Sequence, residues 1–321
     1  MSSHANYLGR IGVIYGGDSP ERPGSIASAE AVFKALSDAG LRAEMIDMGD
    51  LRELGATLRE RIDVALLACH GLGGEDGKVQ GHLEQLGIPY TGSGVLASAL
   101  GMHKPTFKTL LAALNIDTPK SITVLAEHSV ESTVTTVELN LGYPVFVKPA
   151  GGGGSLGAGI ARNAEDLNRL LRARRDQPYA EYMVEEYLDG IPCTVGILDQ
   201  GGPVALPLLT CETDRDFYDY EAKHDRGLRR ETCPAALPEN VEQRVVETAL
   251  QVHRRIGAHG VSRVDFLICP DGRSPVLEVN TVPGLSEHGN LATMAAAAGM
   301  PYVDLIKRVL DTAFTKVSYV P

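Results

Sequence analysis

The chain has 321 residues, enough for two or three domains with apolar cores of their own. Lys and Arg number 30 against 41 Asp and Glu, a formal net charge of −11, which excludes the basic footprint of a nucleic-acid or anionic-membrane binder. Five cysteines, at 69, 193, 211, 233 and 269, never form a CxxC pair, so neither a disulfide framework nor a zinc site is expected and a reducing cytoplasm fits. The stretch MSSHANYLGR lacks an apolar secretory core and no run of about 18 apolar residues follows, so the chain reads as soluble and free of membrane spans.

IGVIY (11–15) is a short apolar strand ending in Gly16-Gly17, and a helix follows with Ile26, Val32, Phe33 and Leu36 on one face, stopped at Gly40. AEMIDM continues as an apolar segment, and VALLAC (64–69) is a strand that runs into a second glycine-rich loop, 70–77. This is βαβ grammar, with loops at strand C-terminal ends where such sheets bind ligands. From about 104 the pattern becomes a helix to Leu114, then a β-branched segment ending in YPVFVKPA, then glycines 151–154, Ser155, Leu156 and Gly157. The strand-like GAGIA after those glycines argues against a dinucleotide fingerprint, which needs a helix there, and for a mobile hairpin loop over phosphates.

Residues 181–198 read as a strand, a turn at Asp189-Gly190 and another strand, followed by a polar insertion from about 211 to 232. A helix (241–256), a hairpin (261–280), a loop (281–290) and a closing helix (301–314) complete the chain, with no internal repeat.

The strongest local signal is VSRVDFLICPDGRSPVLEVNTVPG, residues 261–284, in which Pro270-Asp271-Gly272-Arg273 joins two strands. If Cys269 and Ser274 close the loop as a pair, Asp265 lies opposite Glu278 and Arg263 opposite Asn280, and side-chain alternation puts all four on one face. Opposed carboxylates repel, an objection that a divalent cation removes; oxygen donors from Asp, Glu and Asn suit magnesium. A solvated face with incidental charges is the competing reading of the hairpin alone. Lys104, Lys148 and the row of glycine N–H groups add the equipment for a nucleoside triphosphate, and jointly the residues point to ATP.

YGGDSPER, HGLGGEDGKVQGHLEQLGIPYTGSG, the lysine-plus-glycine loop, FYDYEAK and RVDF…LEVNTVPG occur in an order that resembles the D-alanine:D-alanine ligase family over nearly the whole chain. The resemblance implies an α/β ATP-grasp fold. Its parts would be an N-terminal Rossmann-like substrate domain (1–103), a central subdomain with the phosphate loop (104–184) and a C-terminal subdomain with the metal site (185–321). It implies that Lys104, Lys148, Gly153, Gly154 and Ser155 meet the ATP phosphates, and that Glu185, Tyr187 and Leu188 hold the adenine. Asp265, Glu278 and Asn280 would hold two Mg2+ ions, with Mn2+ a possible substitute. Arg263 and the Gly284 amide would face the reacting carbonyl, Glu21 would hold the first substrate's ammonium, and Lys223 would ride on a loop closing over the site.

The implied chemistry converts one amino acid's carboxylate to an acyl phosphate, which the amine of a second then attacks, in the service of peptidoglycan synthesis. Loop closure keeps water out, and the partners are small-molecule amino acids, with a homodimer as the implied assembly. His70 after the second strand would orient a substrate carboxylate or shuttle a proton, although such a histidine is as often structural.

Several positions depart from the family's pattern. Gly154 stands where a serine is usual, His224 where a tyrosine is usual, and Pro23-Gly24-Ser25 where a valine flanks the first substrate. Gly289-Asn290 replaces a serine-containing pair at the acceptor site, and Pro192 replaces a ribose-binding glutamate. His224 titrates near neutrality and resembles the vancomycin-resistance ligases at that position. D-alanyl-D-alanine is the default product; a specialised ligase joining another pair is the alternative, and a non-catalytic nucleotide-binding regulator the third reading.

Overall fold

Among the described residues the strands form three sheets that follow one another along the chain. The computed structural model describes residues 9–155, 157–173, 181–217, 219, 221–222 and 225–316. The first sheet is parallel, with strands β1 (Ile11–Tyr15), β2 (Ala43–Asp47) and β3 (Val64–Leu67) in the order β2-β1-β3. Continuous burial of β3 matches a parallel strand covered on both faces.

The helix Arg22–Asp38 links β1 to β2 and ends where Leu41 N donates to Leu36 O at 3.0 Å, with Gly40 at φ +74. Its buried face is Ser25, Ser28, Ala29, Val32 and Leu36, whereas Ile26 and Phe33 sit half-buried at the flank, which corrects the expected apolar stripe. The reason is polar: Ser25 Oγ accepts from Gly16 N at 2.8 Å and donates to Ala68 O at 2.8 Å, so a buried hydroxyl ties two loops at the carboxyl ends of β1 and β3.

The second sheet is antiparallel, built from β4 (Ser121–Val124), β5 (Val145–Pro149), β6 (Gly159–Ala161) and β7 (Tyr182–Glu186) in the order β4-β7-β5-β6. Strands β5 and β6 pair around the glycine loop, so the expected hairpin is present. The β-branched stretch expected before it is instead a helix, Val130–Asn140. Ser129 caps it by accepting from Ser132 N at 3.0 Å. The hydroxyls of Thr133, Thr135 and Thr136 bond back to carbonyls one turn earlier, and Val130, Thr133 and Val137 make its buried face.

The third sheet holds β8 (Ile191–Asp199), β9 (Pro203–Ala205), β10 (Leu209–Glu212), β11 (Arg230–Thr232), β12 (Val261–Ile268) and β13 (Val276–Asn280). The order is β11-β10-β8-β12-β13, with β9 on β8. The expected strands on either side of Asp189-Gly190 therefore belong to different sheets, and the chain crosses between them at Gly190. A Cβ there would lie 2.7 Å from Ile268 O, so the crossing needs glycine.

The hairpin β12–β13 pairs Arg263 with Asn280 and Asp265 with Glu278, as expected. It does so by a different route. Cys269 N donates to Arg273 O at 3.0 Å, so the loop closes one residue short of the expected Cys269–Ser274 pair, and a bulge after Asp265 restores the register.

The helix Glu239–Arg255 packs on the third sheet, and Tyr302–Asp311 closes the chain, while a further helix, Asn290–Ala297, follows the loop after β13 and was not expected. One apolar cluster joins Ile11, Val32 and Leu66 around the first sheet to Leu198, Leu291, Met294 and Leu305. The first and third sheets thus share a core, each buried Leu or Ile contributing about 1.5–3 kcal/mol. Among the described residues no helix is long and apolar enough to cross a membrane.

Candidate functional site

A cavity of about 810 Å3 opens where the three sheets meet. Its volume suits a ligand of nucleotide size. Every described residue singled out from the sequence as a site residue lines it: Glu21, Gly24 and His70 from the first unit; Lys104, Lys148, Gly153, Gly154, Ser155 and Glu185 from the second; and Tyr187 and Leu188 at the crossing. The third contributes Arg263, Asp265, Glu278, Asn280, Gly284, Gly289 and Asn290. Lys223 and His224 lie outside the described residues.

The lysines are placed by secondary structure. Lys104 opens the helix Lys104–Ala113, capped by His103, and its Nζ reaches Gly152 O at 2.6 Å and Glu278 Oε2 at 3.4 Å. Lys148 sits on β5, where the register sets Phe146 opposite Glu185. Lys148 and Glu185 therefore share a face, and Nζ meets Oε2 at 2.8 Å. Lys108, one turn after Lys104, meets Glu185 Oε1 at 2.5 Å. Burial pushes the Glu185 carboxyl up, but the two lysines outweigh it and hold it below the ordinary carboxylate value.

The acidic hairpin carries its own counter-charges. Arg263 grips Asp265 through two bonds of 2.9 Å, Thr194 Oγ1 donates to Asp265 Oδ1 at 2.6 Å, and Lys104 faces Glu278. A guanidinium and an ammonium already offset the Asp265–Glu278 repulsion that a divalent cation was expected to relieve. Burial pushes Arg263 down, yet Asp265 first and Glu278 after it raise the guanidinium above its usual value. Opposed carboxylates with Asn280 on the same face remain a hard-oxygen donor set that fits magnesium. Asn280 Oδ1 also accepts from Val282 N at 3.0 Å.

The glycine loop approaches the first unit closely. A Cβ at Gly153 would lie 2.6 Å from Glu21 Oε1, and one at Gly71 would lie 2.3 Å from Glu21 Oε2, so the Glu21 carboxylate sits against both glycine loops and a methyl at either would push it aside, with φ +73 favouring glycine at Gly71 as well. Gly152 and Gly154 have φ of +91 and +67.

Loop 70–77 is braced by its own acids, Glu75 Oε2 accepting from Gly71 N at 2.6 Å and Asp76 Oδ2 from Gly73 N at 2.9 Å. Burial, with Glu21 nearby, pushes the Glu75 carboxyl up to about 8. Burial, with Arg263 nearby, lowers His70 to about 4, so at neutral pH its ring is uncharged; Nε2 lies 3.1 Å from Ser28 Oγ and offers a hydrogen bond, not charge.

Sequence reasoning missed Glu75, Lys108 and Thr194. Lys108 carried a legible signal, four residues after Lys104 on one helix face. Thr194 carried none, since its pairing with Asp265 depends on β8 joining β12.

An antiparallel sheet bearing a glycine hairpin, closed against a second sheet bearing an acidic hairpin with two lysines between, is the ATP-grasp architecture. Family models described as D-ala D-ala ligase N-terminus and C-terminus match residues 50–93 and 110–311. The chain belongs to the D-alanine:D-alanine ligase family. A D-alanine:D-alanine ligase of Geobacter sulfurreducens is 40% identical over 314 residues, 96% of this chain and 95% of that protein. The D-alanine:D-alanine ligase of Bacillus anthracis, crystallised with ATP, superposes with a TM-score of 0.81 at 30% identity, covering 96% of this chain and 98% of that one. The VanG D-Ala:D-Ser ligase of Enterococcus faecalis superposes at 0.80 with 27% identity, covering 95% and 99%.

Proposed function

We propose that the chain is an ATP-dependent D-alanine:D-alanine ligase of peptidoglycan synthesis, a cytoplasmic homodimer whose protomer divides at about 103 and 184. The observation that carries this reading is the convergence of Lys104, Lys148, the glycine loop, Arg263 and the opposed Asp265 and Glu278 on one cavity that also holds Glu21. A nucleotide-binding regulator has little use for an arginine aimed beside a metal-type donor set.

In this reading Lys104, Lys148 and the N–H groups of Gly153, Gly154 and Ser155 receive the phosphates, and Glu185, Tyr187 and Leu188 frame the base. Asp265, Glu278 and Asn280 hold two Mg2+ ions, which supply charge neutralisation at the transferring phosphoryl group. Glu21 takes the ammonium of the first amino acid and so points its carboxylate toward the phosphates. Phosphoryl transfer to that carboxylate gives an acyl phosphate and ADP. The second amino acid's amine adds to the activated carbonyl, Arg263 and the Gly284 N–H hold the developing oxyanion, and phosphate leaves as the amide forms. His70, neutral at physiological pH, hydrogen-bonds a substrate group.

A second reading, in which the enzyme joins a different pair, is favoured by the substrate walls. Nothing lies within 4 Å of the place a Cβ would take at Gly24, which leaves room beside the first amino acid. A Cβ at Gly289 would meet Ser286 Oγ at 2.9 Å, so this loop is built without the usual hydroxyl beside Asn290 at the acceptor side. The VanG likeness shows that this architecture accommodates a second substrate other than D-alanine in that enzyme. ADP and phosphate release with ATP, Mg2+ and amino acids of both hands, alone and in pairs, separates the readings.

A further inference from the structure

Glu185 is a buried carboxylate with two ammonium partners, Lys148 on Oε2 at 2.8 Å and Lys108 on Oε1 at 2.5 Å, and the three side chains are at most 11% exposed. The neighbouring Glu186 is occupied elsewhere: its Oε1 accepts from Lys120 N at 2.9 Å and faces Arg273 at 3.7 Å. Two cations on one carboxylate leave a surplus positive charge in a poorly solvated place, which an arriving anion relieves.

The two lysines are not equivalent. Lys148 lines the cavity beside the glycine loop, while Lys108 lies behind the carboxylate, off the cavity wall, anchored on the helix Lys104–Ala113. Only Lys148 has a path to a ligand.

On the reading that this cavity binds ATP, we infer that Lys108 is the positioning residue of the nucleotide-base pocket. It keeps Glu185 Oε1 when Lys148 exchanges Oε2 for a phosphate, and the released Oε2 accepts a hydrogen bond from the exocyclic amino group of adenine. With Lys108 in place, Lys148 departs and Glu185 remains a matched one-to-one pair. Without it, Lys148 is the sole counter-ion of a buried carboxylate and its departure strands that charge, so nucleotide binding weakens. The same arrangement couples phosphate binding to base recognition, because the departure of Lys148 frees the side of Oε2 that faces the cavity for the base's amino group.

The test is steady-state kinetics of Lys108→Met and Lys108→Arg with ATP and with purine riboside triphosphate, which lacks the 6-amino group. Lys108→Met should raise the KM for ATP about tenfold or more, with kcat changed far less, and erase most of the wild-type preference for ATP over the amino-less analogue. Lys108→Arg, which keeps a cation against Oε1, should recover much of both. A folded Lys108→Met with wild-type KM and wild-type base preference overturns the inference. Should the methionine variant not fold, Lys108→Gln reads the same ratio with the same two outcomes. Failure of the wild-type protein itself to bind or use ATP would count against the nucleotide site as a whole, and so is distinguishable from failure of the role of Lys108.

Discussion

Asp265 and Glu278 face each other across the β12–β13 hairpin, each already matched by a cation, Arg263 for the first and Lys104 for the second. The pairing neutralises both carboxylates within the protein itself and keeps the Arg263 guanidinium on the cavity wall.

Glu278→Gln should therefore fold, since the amide keeps the shape and the neutralising Lys104 lies near the cavity. It should lower ADP formation at least about 100-fold, the scale for removing one preorganised electrostatic group. Circular dichroism and melting would report the fold, and coupled ADP release the activity. Turnover near the wild-type rate in that variant, or persistence of wild-type turnover in excess EDTA, would sink the metal assignment.

Gly153→Ala probes the contact between the glycine loop and Glu21. No positive φ is demanded at Gly153, so the substitution adds a methyl without backbone strain, and the methyl displaces the Glu21 carboxylate 2.6 Å away. The KM for the first amino acid should rise about tenfold, the value of one charged hydrogen bond, with the melting temperature little changed. Gly71→Ala combines a 2.3 Å clash with φ +73 and should lose stability as well.

Gly24→Val should narrow the first-substrate wall. Because the Cβ position at Gly24 is open, the added branches extend into the cavity, and the ratio of D-alanine to D-norvaline turnover should rise about tenfold or more. An unchanged ratio would remove Gly24 from the list of selectors.

His253 supplies a stability prediction. It lies buried on Glu239–Arg255, with Nδ1 2.7 Å from Ser262 Oγ, and burial lowers its pKa from 6.5 to about 4 against the pull of Asp199. A base depressed on folding contributes stability that is whole above pH 6.5 and lost as pH falls toward 4, because the unfolded chain takes up the proton first. Over that window His253 should account for ~3 kcal/mol. Melting curves of the wild type and His253→Gln between pH 7.5 and 5 should show a steeper acid-side fall in the wild type; parallel curves would mean that His253 does not titrate as described.

The chemistry was more legible in the sequence than the packing. Asp265, Glu278, Arg263 and Asn280 were recoverable because strand alternation is strict, and the register came out right although the loop closes a residue short, since the bulge after Asp265 compensates. The helix Val130–Asn140 was not legible: its valines and threonines favour strands, and its helicity rests on the Ser129 cap and on burying Val130, Thr133 and Val137 in the core of the second sheet, which local pattern does not encode. Thr194 and Glu75 depend on which strands and loops meet in three dimensions, which local pattern does not encode.

The measurement closest to the central claim is ADP and phosphate release from ATP and Mg2+ with D-alanine as the only amino acid, with the product identified by mass. The account predicts robust turnover and a dipeptide of two alanines. Absence of turnover on D-alanine, together with turnover on another amino-acid pair, would contradict the proposed substrate and assign the open wall at Gly24 and the rebuilt loop at Gly289 and Asn290 to a different specificity.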